Sequence, residues 1–306
     1  MKAVVFGSTG FIGSHVAEQL ALAGHTVTAA ARETSDISFL ESLNVKVERI
    51  RHDDPDAIHR LMSGIDVVYN CTADSSLGLE RYSEELVEIK LTERLITAAG
   101  HCHVSRFVQL STVVIYDFKS NQPLDEKYIS QPEFPFQQLA LEREKIVRSL
   151  GKKLGIETVI LRPASAIGTR DKKSFFSRLY LAHLHNQFPM AGSGEARVSL
   201  VDTRDIGRAM EWLGTCALEE WDDGVYVLKG YDTTWSGLKE EMDKAIGTEA
   251  GVENMPISPS IMYKNLSTHR IWDDQKIKKS FHTLYTLPVS IKASLEELMA
   301  ASAKSK

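Results

Sequence analysis

The seven residues Gly7-Ser8-Thr9-Gly10-Phe11-Ile12-Gly13 constrain the fold more than any other stretch. They follow the apolar run Ala3-Val4-Val5-Phe6 directly and open the helical pattern of 12–23. A strand that turns at once into a helix aims backbone N–H groups and the positive end of the helix dipole at whatever lies beyond the strand. Glycines in such a turn let the backbone approach a pyrophosphate and let the helix pack on the strand. This placement predicts a phosphate cradle built from Gly7, Thr9, Gly10, Phe11, Ile12 and Gly13.

The same alternation continues along the first half. Short apolar runs at 3–6, 26–30, 46–49, 67–70, 106–110, 158–161 and 225–228 alternate with helical periodicity at 12–23, 56–62, 83–99 and 137–150. Strands separated by amphipathic crossovers specify an α/β fold, a doubly wound parallel sheet. Gly24, Gly64, Gly100 and Gly151 stand where C-terminal helix caps are expected. After Arg162-Pro163 the rhythm weakens. The stretch 170–200 holds Arg170, Lys172 and Lys173, a helical pattern at 175–185 and the turn Gly192-Ser193-Gly194, and the stretch after 232 carries Pro256, Pro259 and Pro288. We expect a Rossmann-type domain from 1–169 plus 201–231, and a smaller substrate lobe from 170–200 plus 232–306.

Composition narrows the partner. Of the 306 residues 43% are apolar and 25% charged, which suits a folded globular chain. With 36 basic against 41 acidic side chains the net charge is -5, so no global positive field draws in nucleic acid or an anionic membrane. A small-molecule partner is the expectation. Cys71, Cys102 and Cys216 are too few and too scattered for a disulfide framework or a metal cage, so we expect a reducing, cytoplasmic setting and no metal. The N-terminal apolar run enters glycines at once and no window reaches 18 apolar residues, so neither a signal peptide nor a spanning helix is expected.

The spacing Gly-x2-Gly-x2-Gly resembles that of the short-chain dehydrogenase/reductase superfamily, in its extended, epimerase/dehydratase-like branch. Other segments in order carry the resemblance: His52-Asp53-Asp54 after the third strand, Asn70-Cys71-Thr72-Ala73 ending the fourth, Leu110-Ser111-Thr112-Val113-Val114-Ile115-Tyr116, Leu161-Arg162-Pro163-Ala164-Ser165 and Val201-Asp202-Thr203-Arg204-Asp205. It spans about 1–230. It implies that Asp53, Asp54, Cys71, Thr72, Ala73 and Pro163 join the glycine turn in binding a nicotinamide dinucleotide. It puts Thr112 on the catalytic Ser/Thr position; from the residues themselves we expect Asp74, Ser165 and Arg170 to contact substrate. It also implies a homodimer through helices 83–99 and 137–150.

Cofactor choice turns on the end of the second strand, where NAD-preferring relatives place an acid that accepts ribose hydroxyls. Here the run is Ala29-Ala30-Ala31-Arg32, with no acid before a guanidinium able to pair with a 2′-phosphate. This predicts NADP(H) over NAD(H). The catalytic pattern departs from the family: a tyrosine and a lysine four residues later share one helix face there, whereas the matching positions here are Phe136 and Ala140. None of the nine tyrosines is followed four residues later by lysine. Phenylalanine has no proton to give and alanine no charge. The family's asparagine on the preceding helix falls on Glu88.

Three functions stay open. One is an oxidoreductase acting on a small organic metabolite, with its proton donor moved to Asp74, Tyr116, Lys119, Glu133, His183 or His185. The others are a redox-neutral isomerase, lyase or cyclase on the same fold, and a non-catalytic NADP(H)-binding regulator.

Overall fold

A computed structural model describes residues 1–73, 81–120, 122–218 and 222–304. The chain divides into two compact units: 1–115, 132–162 and 206–226 form the first, and 116–131, 163–205 and 227–306 the second. Residues 116–131, 163–169, 201–205 and 227–231, read from the sequence as part of the sheet domain, group with the second unit.

Unit 1 is built on β1 (Lys2–Phe6), α1 (Phe11–Leu22), β2 (Thr26–Ala31), α2 (Ser38–Ser42), β3 (Lys46–Arg49), α3 (Pro55–Met62), β4 (Val67–Asn70), α4 (Val87–His101), β5 (Arg106–Leu110), α5 (Pro135–Leu154) and β6 (Glu157–Pro163). With strand Val225–Leu228 these make the seven-stranded sheet expected from the sequence, in the order Val225–Leu228, β6, β5, β4, β1, β2, β3. The pairings β3–β2, β2–β1, β1–β4, β4–β5 and β5–β6 are all parallel. β4 and β5 are buried along their whole length, which is why their apolar runs are continuous rather than alternating. One core face joins Val4, Phe6, Val68 and Phe107 of the strands to Leu95 and Ile96 of α4 and Val147 of α5. Strand order reverses between β1 and β4, so a crevice opens there at the strands' carboxyl ends.

Two helices differ from their expected bounds. Helix α4 starts at Val87 rather than 83, because Ser83 forms a turn in which its Oγ accepts from Glu85 N and its carbonyl from Leu86 N. Gly24 and Gly64 have the left-handed φ of helix ends (78° and 72°), but Gly100 and Gly151 lie inside α4 and α5. They are spacers rather than caps. A Cβ on Gly100 would meet Leu154 at 2.8 Å, and one on Gly151 would meet Thr158 at 2.2 Å; the αL cap of α5 is Gly155.

Unit 2 has its own core, in which Phe176, Tyr180, Phe188, Leu200, Trp235, Leu238 and Ile291 meet. Its three-stranded sheet runs Tyr231–Thr234, Arg197–Asp202, Ser165–Ile167. Arg270 is inserted there between Phe118 and Trp272, and donates to the Asp117 and Tyr116 carbonyls. No helix among the described residues is long and apolar enough to cross a membrane.

In unit 1, Glu144 of α5 and Arg162 of β6, both buried, form a two-armed ion pair (3.0 and 2.6 Å), and Ser111 Oγ donates to the same carboxylate at 2.5 Å. Removing one partner leaves the other charged and buried, so Glu144→Gln or Arg162→Met alone is expected to cost about 3–5 kcal/mol in chemical denaturation. The paired change Glu144→Leu/Arg162→Met should recover most of it. Equal losses in the single and double variants would show that the pair is not the source.

Candidate functional site

Residues from every segment that ends at the carboxyl edge of strands β1 to β4 line one cleft of unit 1, about 620 Å³ in volume. Gly7, Thr9 and Gly10 come from the turn after β1, Ala30 and Arg32 from β2 and its end, His52 from after β3, and Cys71, Thr72 and Ala73 from after β4. Helix α4 adds Glu88 and Leu91, and α5 adds Phe136 and Leu139.

The glycine turn is pressed against the end of β4. Gly7 holds φ +77°, and a Cβ there would lie 2.6 Å from the Cys71 carbonyl oxygen; at Gly13 a Cβ would lie 2.1 Å from the Gly7 oxygen. No larger residue fits either position without moving backbone. Gly10 N donates to Gly7 O at 3.0 Å, and buried Ser8 Oγ donates to Ala30 O at 2.9 Å, which ties the turn to β2. The N-cap of α1 is Gly10, with no side-chain cap, so the first-turn N–H groups at Phe11, Ile12 and Gly13 are left for an anion or water.

A polar network fixes the opposite wall. Asn70 Oδ1 accepts from Thr72 N (3.2 Å) and Thr72 Oγ1 (2.6 Å), while its Nδ2 donates to Gln109. Arg143 of α5, only 7% exposed, donates from Nη2 to Thr72 O at 2.6 Å and from Nε to Thr92 Oγ1 of α4 at 3.0 Å. Among the described residues its guanidinium meets neutral oxygens, and burial lowers its pKa to about 10 against the opposing pull of Glu88. Burial likewise pushes the Cys71 thiol up to about 12, so Cys71 lines the cleft as a neutral group and not as a thiolate nucleophile.

At the β2 side, Arg49 Nη1 donates to the carbonyls of Arg32 (3.0 Å), Glu33 (2.6 Å) and Ser35 (3.3 Å) and so braces the turn that presents Arg32. Of the turn 52–54, the residue that lines the cleft is His52. Exposed Asp53 pairs with Arg51 at 2.8 Å, and Asp54 caps α3 by accepting from Ala57 N at 3.0 Å. Both carboxylates are thus occupied by local contacts, a competition short acidic side chains enter readily.

The remaining expected site residues lie apart from this lining. Thr112 is half-buried, and its Oγ1 accepts from Val114 N at 3.1 Å, capping the short 3-10 turn Val113–Ile115. Ala140 is buried one turn beyond Phe136. Pro163, Ser165 and Arg170 belong to unit 2, where the Arg170 N–H is held by Glu297 at 2.9 Å. Asp74 lies outside the described residues. Among the other proton-donor candidates, Tyr116 is buried against Trp272 with its hydroxyl on Asp125 O, Lys119 donates to Gln131, His183 meets Asp243 at 2.8 Å, His185 meets the Leu181 carbonyl, and Glu133 is exposed. The titratable lining of the cleft among the described residues is therefore Arg32, His52, Cys71 and Glu88. Sequence reasoning missed Arg143 and the inward face of His52. The signal for Arg143 was a charge on the helix stripe 136, 139, 143, 147, which is otherwise apolar.

A family model described as the NAD dependent epimerase/dehydratase family matches residues 3–227. Among curated proteins, the mitochondrial NADH-ubiquinone oxidoreductase 40 kDa subunit of Neurospora crassa is 28% identical over 261 residues, covering 83% of this chain and 62% of that protein. The uncharacterized UDP-glucose epimerase YtcB of Bacillus subtilis is 27% identical over 218 residues, covering 65% and 67%. Among solved structures, the UDP-glucuronic acid 4-epimerase of Bacillus cereus, in complex with UDP-glucuronic acid and NAD, superposes with a TM-score of 0.83 at 21% identity over 98% of this chain and 100% of that one. That likeness is one of fold.

Native protein treated with iodoacetamide at pH 8 should leave Cys71 unmodified while the partly exposed Cys102 and Cys216 react. Peptide mass spectrometry checks this, and rapid labelling of Cys71 in folded protein would contradict the neutral, buried thiol.

Proposed function

The chain belongs to the NAD dependent epimerase/dehydratase family, and from that premise we propose that it is an NADP(H)-binding oxidoreductase-type protein acting on a small organic metabolite without a Tyr-x3-Lys proton relay. The observation that carries this reading is the cleft itself: a glycine turn at a helix N-terminus, Arg32 at the end of β2 with no acid beside it in the strand, and Phe136 on the wall. The lining is compatible with a dinucleotide, since the tight packing at Gly7 and Gly13 holds the turn with the first-turn N–H groups of α1 uncapped. A bound nicotinamide would supply hydride transfer.

The residues then divide the work. First-turn N–H groups at Phe11, Ile12 and Gly13 receive the pyrophosphate. Arg32 receives the 2′-phosphate, while Ala31 offers nothing to the ribose hydroxyls that NAD selectivity needs. Phe136 and Leu139 keep water from that wall and move no proton. Carbonyl reduction in such a cleft takes its proton from water, which forgoes the ~10²–10⁴ in rate that a positioned acid contributes. Activated carbonyls are the substrates that tolerate this.

A second reading, dinucleotide binding without turnover, is favoured by the joint replacement at 136 and 140 and by the Neurospora crassa relative, whose name makes it a subunit of a larger assembly. The chain spans 62% of that relative, so this too is a proposal. Three cysteines with no disulfide agree with a cytoplasmic setting, and α4 and α5, side by side in unit 1, are the surface we assign to a homodimer. A monomer by light scattering at high concentration would remove the dimer.

Fluorescence titration should show NADPH binding at least tenfold tighter than NADH, about 1.4 kcal/mol, with Arg32→Ala erasing the difference. Phe136→Tyr/Ala140→Lys should raise carbonyl reduction by ~10²–10⁴ in a folded, cofactor-bound variant. Unchanged rates across an aldehyde and ketone panel favour the binding-only reading. Binding of neither nucleotide rejects both and leaves redox-neutral chemistry.

A further inference from the structure

Three arginines and a histidine stand at the carboxyl ends of β2 and β3, and two of them, Arg32 and His52, have side chains with no polar partner among the described residues. Arg49 is spent on three backbone carbonyls and Arg51 on Asp53. Neither the Arg32 guanidinium nor the His52 imidazole has a hydrogen bond or ion pair with any described residue, and both line the cleft. His52 is held in place through its backbone, whose carbonyl accepts from Arg94 Nη1 of α4 at 3.3 Å, and it is half-buried. Two unspent nitrogen-bearing groups on adjacent strand ends, in a cleft wide enough for a dinucleotide, form a two-sided receptor for a phosphate.

We propose that His52 is the second ligand of a ribose 2′-phosphate beside Arg32, and that it takes up a proton when the phosphate binds. This rests on the NADP(H) reading and adds to it a named residue and a proton. The charged groups around the imidazole are Arg32 from the end of β2, Arg51 and Asp53 on its own turn, Asp54 at the start of α3, Arg94 from α4, and Glu88 elsewhere on the cleft lining. Without ligand, burial and then Arg32 hold His52 below its usual range, with Asp53 opposing, so the imidazole is neutral at pH 7. A dianion placed between Arg32 and His52 reverses the balance: it screens the guanidinium and favours imidazolium. The folded, liganded protein then binds one more proton than the free protein, and affinity falls as pH rises through the interval between the free and bound pKa values. The limit is one proton, tenfold in Kd per pH unit.

The test is the dissociation constant of NADP+ and of NAD+ between pH 7 and 9, where the phosphate, with a second pKa near 6, is already dianionic. Calorimetry in two buffers of different ionisation enthalpy counts protons in parallel. The expected result is NADP+ affinity that declines with pH with net proton uptake, and NAD+ affinity that does not. His52→Gln should flatten the NADP+ profile and leave NAD+ affinity within about twofold, while His52→Arg should keep NADP+ binding tight across the range. Circular dichroism establishes that each variant is folded. Tight, NADP+-selective binding with no proton uptake, or an unchanged profile in His52→Gln, overturns the role of His52 and leaves the Arg32 reading standing. NADP+ binding no tighter than NAD+ overturns both.

Discussion

The cleft depends on a backbone contact that admits no side chain. The turn after β1 lies against the end of β4 closely enough that a Cβ at Gly7 would sit 2.6 Å from the Cys71 carbonyl, and the first turn of α1 closes onto that turn at Gly13. The β4 end is held from its other side by Asn70, Gln109 and Arg143. A segment gripped on both sides keeps Thr72 and Ala73 in place before any ligand arrives, and preorganisation of this kind reduces the ordering cost that binding would otherwise carry.

Helix α5 supplies the other half of that grip. Adjacent residues Arg143 and Glu144 point to different partners, as successive positions about 100° apart on a helix must: Arg143 reaches β4 and α4, Glu144 reaches β6 and Ser111. The two charges are not equivalent. Glu144 is paired with Arg162 at 2.6 Å, whereas among the described residues Arg143 meets neutral oxygens and feels the pull of Glu88. Anchored by both, α5 presents Phe136 and Leu139 to the cleft in a fixed orientation. The same helix thus joins the two walls it touches and lines the cleft.

The sheet was legible because its central strands are buried on both faces and its first crossover begins with glycines that have one structural use. The glycine turn, Arg32 and residues 71–73 were legible for the same reason, each being set by the end of a strand. What the sequence hid is what depends on side-chain competition. The acids of 52–54 look like ligands for adenosine, yet Asp54 is taken by the N-terminus of α3 and Asp53 by Arg51, contacts within three residues that leave His52 facing inward. Gly100 and Gly151 look like helix stops because spacing against Leu154 and Thr158 leaves no local signature. The pairing of Glu144 with Arg162 joins residues 18 apart whose partnership only the fold reveals.

Sheet order separates the two sides of the cleft: β2 and β3, with Arg32 and His52, lie on one side of β1, and β4 and β5, leading to α4 and α5, on the other. Arg32 and His52, the nitrogen-bearing groups able to meet an anion, gather on the first side, while the second combines Thr72 and Glu88 with the apolar Phe136 and Leu139. Binding energy concentrated away from the reacting atoms is felt equally in the ground and transition states, so it lowers the dissociation constant without raising the rate of a chemical step. Under the proposed reductase reading, rate enhancement in such a cleft comes from holding substrate against cofactor, an effect of proximity rather than of a positioned acid. On that reading the reactivity of the carbonyl itself sets what such a cleft can reduce.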